Sequence, residues 1–258
     1  MLDLEQLQSY YPENLRSFKR NILREYLQYK ILQIIYTSDY SNRLIFMGGT
    51  AIRILHSNQR FSEDLDFDNR GIEKKDFEDL VNIIKKKMKL EGYDLSIRNS
   101  YNNAFRSYLK IHDIMYNFSL SPHKKENIDI RLDTEPQKFD YMPVKPFLNK
   151  FDVFTQIFSV PIDLLLSQKI YVIFNRKRAM GRDFFDTVYL LGKTMPDYVY
   201  LKKKLNIADG EELRSRLLDF CSKVDLEKLS FDVGPFLFDP SSSAKVSLFN
   251  GFIKNAVL

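Results

Sequence analysis

The first part of the chain mixes helical and extended hydrophobic patterns. Apolar residues at helical spacing over residues 15–37 predict one amphipathic helix or two shorter ones, and residues 77–88 predict another that Gly92 can end. Between them, an apolar run at residues 44–47 stops at Gly48-Gly49, where a tight turn can form, and a short helix is predicted at residues 50–55. Period-two alternation predicts strands in four stretches: a strand entered from a loop within residues 60–67, where the alternation is partial, and strands at 94–98, 105–111 and 128–132. The second and third of these strands are joined through Asn102-Asn103, a pair that tolerates turn geometry.

From residue 161 onward the pattern becomes helical. Helices are predicted at residues 162–174 and at 183–191, the latter closed by Gly192, and within residues 197–205, 211–221 and 243–256. The predicted fold is therefore α+β. A core with a mixed sheet and flanking helices occupies residues 1–158, and a mostly helical lobe occupies residues 159–258.

Composition restricts the class of protein further. Hydrophobic residues make up 44% and charged residues 28% of the 258 positions, and Lys and Arg (39) exceed Asp and Glu (34), which suits an anionic partner such as a nucleotide or nucleic acid. The single cysteine, Cys221, excludes an intrachain disulfide and is interpreted as a small buried hydrophobe. An acidic, polar start and the lack of a long apolar run predict a cytoplasmic protein without a membrane span.

Two carboxylates one residue apart form the first candidate site. If residues 60–67 are a strand, Asp64 and Asp66 point to one face while Leu65 points into the core. Because aligned carboxylates repel each other, a cation between them is favoured, and oxygen ligands suit Mg²⁺. Asp64 and Asp66 taken alone would fit a solvated acidic loop about as well.

A third carboxylate on a neighbouring strand would complete a site for two metal ions, the arrangement that serves phosphoryl transfer. Asp129 is the candidate, because the alternation around it buries Ile128 and Ile130 and turns Asp129 to the opposite face. Asp133 shares that face, and it is the weaker choice because it lies nearer the end of the predicted strand.

The glycine turn could bind phosphate. Free N–H groups at a helix N-terminus attract anions, and Thr50 adds a hydroxyl donor beside Gly48 and Gly49. For a lone diglycine, an ordinary strand-to-helix turn would be the better interpretation. The position of this glycine turn ahead of Asp64 and Asp66 favours a phosphate-binding role.

These segments together resemble a known family. Gly48-Gly49-Thr50 followed by Phe61-Ser-Glu-Asp-Leu-Asp-Phe67 is similar to the AbiEii branch of the nucleotidyltransferase superfamily, which includes the MenT toxins. Leu166-Ser-Gln-Lys169 and Arg182-Asp-Phe-Phe-Asp186 resemble the Lys and Arg-Asp-x-x-Asp signatures of that family. One departure is Met47, where relatives often carry a basic residue, and a phosphate contact from that position is not expected.

The resemblance implies a nucleotidyltransferase core at residues 1–158 and a helical lobe at 159–258 that contributes active-site residues. It implies transfer of a nucleoside monophosphate from a nucleoside triphosphate to an RNA, such as a tRNA-like end, or to a protein, with a cognate antitoxin as partner. The cofactor would be Mg²⁺, as one or two ions, with Mn²⁺ able to substitute. The implied metal ligands are Asp64, Asp66 and Asp129; the other catalytic residues are Lys169 and Asp183; the nucleotide contacts are Gly48, Gly49, Thr50, Ser62, Lys169 and Arg182.

Each residue of the second lobe also has an ordinary interpretation. Lys169 could extend to solvent or pair with Asp163, Asp183 and Asp186 could be helix caps, and Arg182 could be a surface residue. The basic runs at residues 85–89 and 202–204 are interpreted as solvated helix faces. The alternative function is a catalytically silent module of the same fold that binds nucleotide, RNA or a partner protein. No G-x-x-x-x-G-K-[ST] loop and no histidines at metal-ligand spacing offer a competing chemistry.

Overall fold

The computed structural model describes residues 2–101 and 104–258, so the predicted Asn102-Asn103 turn lies outside the described residues. The chain divides into two compact units. The first consists of Met1–Ala51 and Ser62–Ser159, and the second of Ile52–Phe61 and Val160–Leu258. The segment Ile52–Phe61, which lies in the predicted first domain, therefore groups with the second unit.

The first unit contains a sheet and its covering helices. Its helices and strands, in chain order, are α1 (Leu4–Ser9), α2 (Lys19–Tyr36), β1 (Leu44–Met47), the start of α3 (Gly48–His56), β2 (Leu65–Asn69), α4 (Lys74–Leu90), β3 (Leu95–Ser100), β4 (Phe105–Ile111), α5 (Ile114–Asn117), β5 (Ile128–Glu135), β6 (Phe147–Lys150) and β7 (Val153–Gln156). Strands β3, β4 and β5 arise where the sequence alternates, as predicted, because each of them presents one more buried and one more polar face.

The main sheet has the strand order β1-β2-β5-β4-β3. Strands β2 and β5 are parallel and the other neighbouring pairs are antiparallel, so the sheet is mixed, as predicted. One face carries buried apolar side chains such as Phe67, Leu109 and Leu132, and helices α2 and α4 contact the strands from this side. The opposite face carries the polar side chains, including those of the candidate site.

The strand predicted within residues 60–67 is entered from a loop, as predicted, and it extends beyond this stretch to Asn69. Strand β2 starts at Leu65, and residues 60–64 form an extended connection in which Arg60 makes an isolated bridge with Leu237. The loop has a physical reason: Phe61 is buried, but Ser62, Glu63 and Asp64 follow it as three consecutive half-buried residues, which breaks the alternation.

The second unit is helical apart from that bridge. Beyond the end of α3 its helices are α6 (Ile162–Asn175), α7 (Gly181–Leu191), α8 (Tyr198–Leu205), α9 (Gly210–Cys221), α10 (Leu226–Val233), α11 (Ala244–Ser247) and α12 (Phe249–Asn255). The predicted helix at residues 243–256 is thus two shorter helices, and α10 was not predicted. Cys221 is buried, as interpreted from sequence, and burial raises the pKa of its thiol to about 11. Across residues 2–101 and 104–258, no helix has the length and apolar character needed to cross a membrane.

Candidate functional site

Gly48 lies directly against the carboxylate of Asp66. Strands β1 and β2 pair with Met47 opposite Asp66, so the chain leaves β1 beside that side chain. Gly48 has a φ of +79°, and a Cβ atom at this position would lie 2.9 Å from Cβ and Cγ of Asp66 and still closer to Oδ2. Only glycine combines this backbone conformation with this close approach. The first glycine of the predicted turn is therefore required by the geometry of the acidic site.

The segment that carries Asp64 is held from two sides. The hydroxyl of Thr50, in the first turn of α3, donates a hydrogen bond to the backbone carbonyl of Asp64, and Thr50 is fully buried. The side-chain amide of Gln28 donates to the carbonyls of Ser62 and Glu63 at 3.1 and 3.0 Å. The sequence predicted that the Thr50 hydroxyl contacts the nucleotide. In the structure this hydroxyl positions the acidic segment. A nucleotide contact from Thr50, Ser62 or the buried Gly49 stays a prediction.

The strand register brings Asp133 next to Asp66. These two residues are partners in the parallel pair β2–β5, and on the other side of β5 Asp133 pairs with Arg106 of β4. Nε of Arg106 lies 3.1 Å from Oδ1 of Asp133. Arg106, Asp133 and Asp66 therefore form a row across three adjacent strands on the polar face. Asp133, the weaker choice from sequence, occupies the position beside the first carboxylate pair.

Asp129 lies elsewhere on the same face. It is exposed, its antiparallel partner is Lys110 of β4, and it precedes Asp133 by four positions, about 13 Å along an extended strand. The register thus separates Asp129 from Asp66 and places it beyond the part of β5 that pairs with β2. Alternation along β5 could identify the face on which Asp129 lies, but it could not identify the pairing of β5 with β2. The metal-binding role of Asp129 stays a prediction.

Arg131 joins the carboxylates of the site. Its Nη2 lies 2.8 Å from Oδ2 of Asp64, and its Nε lies 2.9 Å from Oδ2 of Asp133. Burial alone would lower the pKa of Arg131, but the nearby carboxylates of Asp64, Asp133 and Asp66 raise it above its ordinary value. A single guanidinium thus offsets the mutual repulsion of three carboxylates.

The donor set at this site fits Mg²⁺. Within the described part of the chain, no group of three His, Cys, Asp or Glu side chains is close enough to hold a metal ion alone. Mg²⁺, however, is commonly bound by one or two carboxylates together with substrate phosphates rather than by a complete protein cage. The carboxylates of Asp64 and Asp66, the second of which lies against the backbone of Gly48, are compatible with that type of site.

The second unit contains a buried cluster of alternating charges around Lys169. Nζ of Lys169 in α6 lies 3.0 Å from Oδ1 of Asp183 and 2.8 Å from Oδ2 of Asp186, both in α7. Asp186 also accepts two hydrogen bonds from Arg60, at 2.7 Å from Nε and 2.6 Å from Nη2, and one at 2.7 Å from Nδ2 of Asn58. The two acids of the Arg-Asp-x-x-Asp segment therefore bind Lys169, in place of acting as helix caps.

The cluster stabilises the charged forms of its members. Burial raises the pKa of Asp186, but Arg60 and Lys169 more than offset this effect and lower the pKa to about 2. Burial lowers the pKa of Lys169, but Asp186 and Asp183 more than compensate and raise it. Lys169 is therefore an ammonium ion, and its charge is balanced by carboxylates within the same unit.

Two arginines border the cluster. Nη1 of Arg176 lies 3.2 Å from Oδ2 of Asp183, and the exposed side chain of Arg176 extends the ion pairs toward solvent. Arg182 is half-buried, and its guanidinium lies 4.7 Å from the ring centre of Phe236. This stacking restrains the arginine that was predicted to bind phosphate, and that role stays a prediction.

Sequence reasoning missed three charged residues that organise these sites. Arg131 lies between Asp129 and Asp133, the two acids predicted to face outward. Because it alternates with Ile130 and Leu132, the sequence already placed it on the same face as these acids. Arg60 precedes the acidic segment, and its partner Asp186 is 126 positions away in sequence. Arg106 lies outside the quoted motifs altogether. Only Arg131 carried a local signal that could have found it.

Comparisons with known proteins agree with this architecture. The sequence profile described as "Nucleotidyl transferase AbiEii toxin, Type IV TA system" matches residues 30–231. The crystal structure of JHP933 from Helicobacter pylori is similar at 18% identity and a TM-score of 0.55, covering 90% of this chain and 91% of that one. A candidate nucleotidyltransferase from H. pylori is similar at 18% identity and a TM-score of 0.55, covering 90% of this chain and 93% of that one. Among curated proteins, none matches the chain.

Proposed function

The chain belongs to the AbiEii nucleotidyl transferase toxin family of type IV toxin–antitoxin systems, and from this premise we propose a Mg²⁺-dependent nucleotidyltransferase. It would transfer a nucleoside monophosphate from a nucleoside triphosphate to a hydroxyl group of an RNA or protein acceptor, with release of pyrophosphate. The observation that carries the proposal is the contact of the Asp66 carboxylate with the glycine backbone at the start of α3. It supports the proposal because the carboxylate proposed to bind the cation lies beside the backbone proposed to bind phosphate.

The metal site of the proposal uses Asp64 and Asp66 together with the phosphates of the substrate, and Asp133, rather than Asp129, is the carboxylate next to this pair. The choice of Asp133 is supported by its register position opposite Asp66 and by its ion pair with Arg131, which also binds Asp64. When bound, Mg²⁺, or Mn²⁺ in its place, would neutralise charge on the transferring phosphoryl group and its oxygens.

The chain's own residues have separate tasks in this proposal. Gly48 and Gly49 would bind the triphosphate through backbone N–H groups, and Thr50 holds the acidic segment at the start of α3. Arg131 keeps the carboxylates aligned before the substrate enters. The acceptor oxygen would bond to the α-phosphorus as the bond to the bridging oxygen of the leaving pyrophosphate breaks.

The second unit contributes Lys169, Asp183 and Arg182 to the proposal, as the family resemblance implies. The ion pairs of Lys169 with Asp183 and Asp186 support a positioned ammonium group, which suits a phosphate contact of fixed geometry. Type IV systems pair a toxin with an antitoxin, so a cognate antitoxin is the proposed protein partner. We place the reaction in the cytoplasm, where nucleoside triphosphates and RNA are available.

A transfer assay tests the proposal. The purified full-length chain is incubated with each α-labelled nucleoside triphosphate, Mg²⁺ and total RNA, and label is sought on RNA and on protein. The Asp64→Asn and Asp66→Asn variants are compared with Asp94→Asn, which removes an exposed carboxylate before β3. Label transferred by wild type and Asp94→Asn, but lost in the other two variants, is the expected result. Nucleotide binding without transfer to any acceptor would instead support the silent binding module.

A further inference from the structure

A groove lies on the polar face of the sheet beside Asp64, within the first unit. It has a volume of about 590 Å³ and runs from the central strand β5 over β4 to the edge strand β3. Its lining includes the cations Arg98, Lys110 and Arg131, the ring of Tyr108, and Asp129. None of these groups except Arg131 has a task in the proposed reaction. The groove therefore lacks an assigned ligand.

The groove residues form a line that leads to the acidic site. Arg98 is the register partner of Tyr108, Tyr108 is the partner of Arg131, and Arg131 binds Asp64 at 2.8 Å. Each step crosses one strand, about 4.8 Å. A ligand that lies along this line would reach Asp64 from the outer edge of the sheet.

The cations at the outer end are available to a ligand. Arg98 and Lys110 are exposed, and neither forms an ion pair with any residue of the described chain. Arg98 instead stacks on Tyr108, with its guanidinium carbon 4.7 Å from the ring centre. Two exposed cations beside a half-exposed aromatic ring match the way proteins bind single-stranded nucleic acid, through phosphate contacts and base stacking.

The strand order supports the same ligand. In-line displacement requires the attacking and leaving oxygens on opposite sides of the phosphorus. Strand β2, with Asp66, lies between β1 and β5, and the glycine turn follows β1. If the pyrophosphate leaves on the side of the glycine turn, the acceptor hydroxyl approaches from the side of β5, where the groove lies.

We propose that this groove binds the terminal single-stranded nucleotides of an RNA acceptor, with Arg98 and Lys110 on its phosphates and Tyr108 stacked on a base. The inference rests on the proposed function and selects RNA over protein as the acceptor. Asp129 lines this groove opposite Lys110 and belongs to its wall.

Binding is tested without turnover, by fluorescence anisotropy of a labelled single-stranded RNA of about 12 nucleotides with the full-length chain. The double variant Arg98→Gln/Lys110→Gln should bind more weakly and reduce the slope of log K against log salt by about 1.4, since each phosphate contact on a single strand contributes about 0.7. The matched control is Lys85→Gln/Lys86→Gln on α4, which covers the other face of the sheet. It removes the same charge and should retain the affinity and the slope of the wild type.

The aromatic contact is tested separately. Tyr108→Leu should weaken RNA binding roughly 5- to 150-fold through loss of stacking, and Tyr108→Phe should stay close to wild type. Circular dichroism and thermal unfolding establish that each variant is folded. In the transfer assay the groove variants should raise KM for RNA and leave KM for the nucleoside triphosphate unchanged.

The outcomes separate this inference from the proposed function. The groove variants could bind RNA with the affinity and the KM of the wild type while transfer still requires Asp64. That result would overturn the proposal that the groove binds RNA and would leave the proposed enzyme activity standing. RNA binding that depends on the groove without transfer by wild type would retain the groove as a binding site and overturn the enzyme. Label found on protein, with no RNA binding by wild type, would overturn the choice of RNA as acceptor.

Discussion

Arg131 and Asp64 are joined by an ion pair of 2.8 Å, at the position where the proposed reaction needs a divalent cation. The same guanidinium also lies 2.9 Å from Asp133, so it connects carboxylates of two parallel strands. A bound cation and this guanidinium would compete for the same oxygen atoms. Arg131 is therefore an internal counter-ion of these carboxylates, and under the proposed function a bound cation would have to displace it.

Replacement of Arg131 should make stability depend more strongly on Mg²⁺. In the presence of a chelator, we expect Arg131→Gln to lower the free energy of unfolding, because the carboxylates then repel each other. The loss should be about 0.5–1 kcal/mol, since the ion pairs that are removed are partly exposed. Added Mg²⁺ should raise the melting temperature of this variant more than that of wild type. Arg106→Gln, which removes only one contact with Asp133, is the control and should respond to Mg²⁺ as wild type does. Equal responses in all three proteins would refute the competition.

A methyl group at Gly48 should disrupt the acidic site. Gly48→Ala would combine the strain of a φ of +79° with overlap onto Asp66, so we expect loss of transfer and of Mg²⁺-dependent stabilisation. Gly71→Ala is a matched control, since Gly71 has a φ of +90° with no atom within 4 Å of an added Cβ. It should lose about 1–2 kcal/mol of stability from strain alone and keep full activity. Denaturant unfolding and the transfer assay measure both effects.

Asp186 should contribute more to stability than Asp183. Asp186→Asn would leave the buried Arg60 without its carboxylate partner, and we expect a loss of about 3–5 kcal/mol in the free energy of unfolding. Asp183→Asn should cost less, because Lys169 keeps Asp186 as partner and Arg176 is exposed. Urea unfolding of the two variants gives the order. A larger loss for Asp183→Asn would show that the Arg60 ion pair is not the centre of the cluster.

The same carboxylate predicts a pH dependence. The pKa of Asp186 falls from its ordinary value of 3.8 to about 2 in the folded chain, because Arg60 and Lys169 outweigh the effect of burial. The folded state therefore gains stability above about pH 4, and this gain, about 2 kcal/mol, is lost as the pH falls from about 4 to about 2. The difference in unfolding free energy between wild type and Asp186→Asn should shrink over this range. A difference that stays constant would contradict the lowered pKa.

Local hydrophobic patterns predicted those helices and strands whose buried and exposed positions alternate clearly within one stretch of sequence. Strand β4 was predicted with its observed bounds, because alternation directly reflects one buried and one polar face. The β6–β7 hairpin was not predicted, although β7 alternates between buried Val153 and exposed Phe154, because an exposed aromatic residue obscures the polar half of the pattern. Helix α10 is short and was missed for lack of an extended apolar stripe.

The candidate site depended on information that no single segment carries. The sequence could place Asp129 and Asp133 on one face of a strand, but the register of β2 against β5 decides which of them meets Asp66. Likewise, the spacing of Asp183 and Asp186 was compatible with helix capping, and only the fold brings Arg60 to them. Both relationships join residues that are distant in sequence, and local hydrophobic patterns do not encode such pairings.

The second unit is discontinuous, since Ile52–Phe61 reaches it from within the first part of the chain. Cutting the chain after residue 159 would therefore not yield two intact domains. The C-terminal fragment would retain Asp186 without Arg60 and Asn58, and the N-terminal fragment would retain these residues without their acceptor. Expression of the fragments separately should give poorly folded products, and recovery on mixing would report reassembly of this ion pair. For protein engineering, the two units therefore cannot be separated by a single cut in the chain.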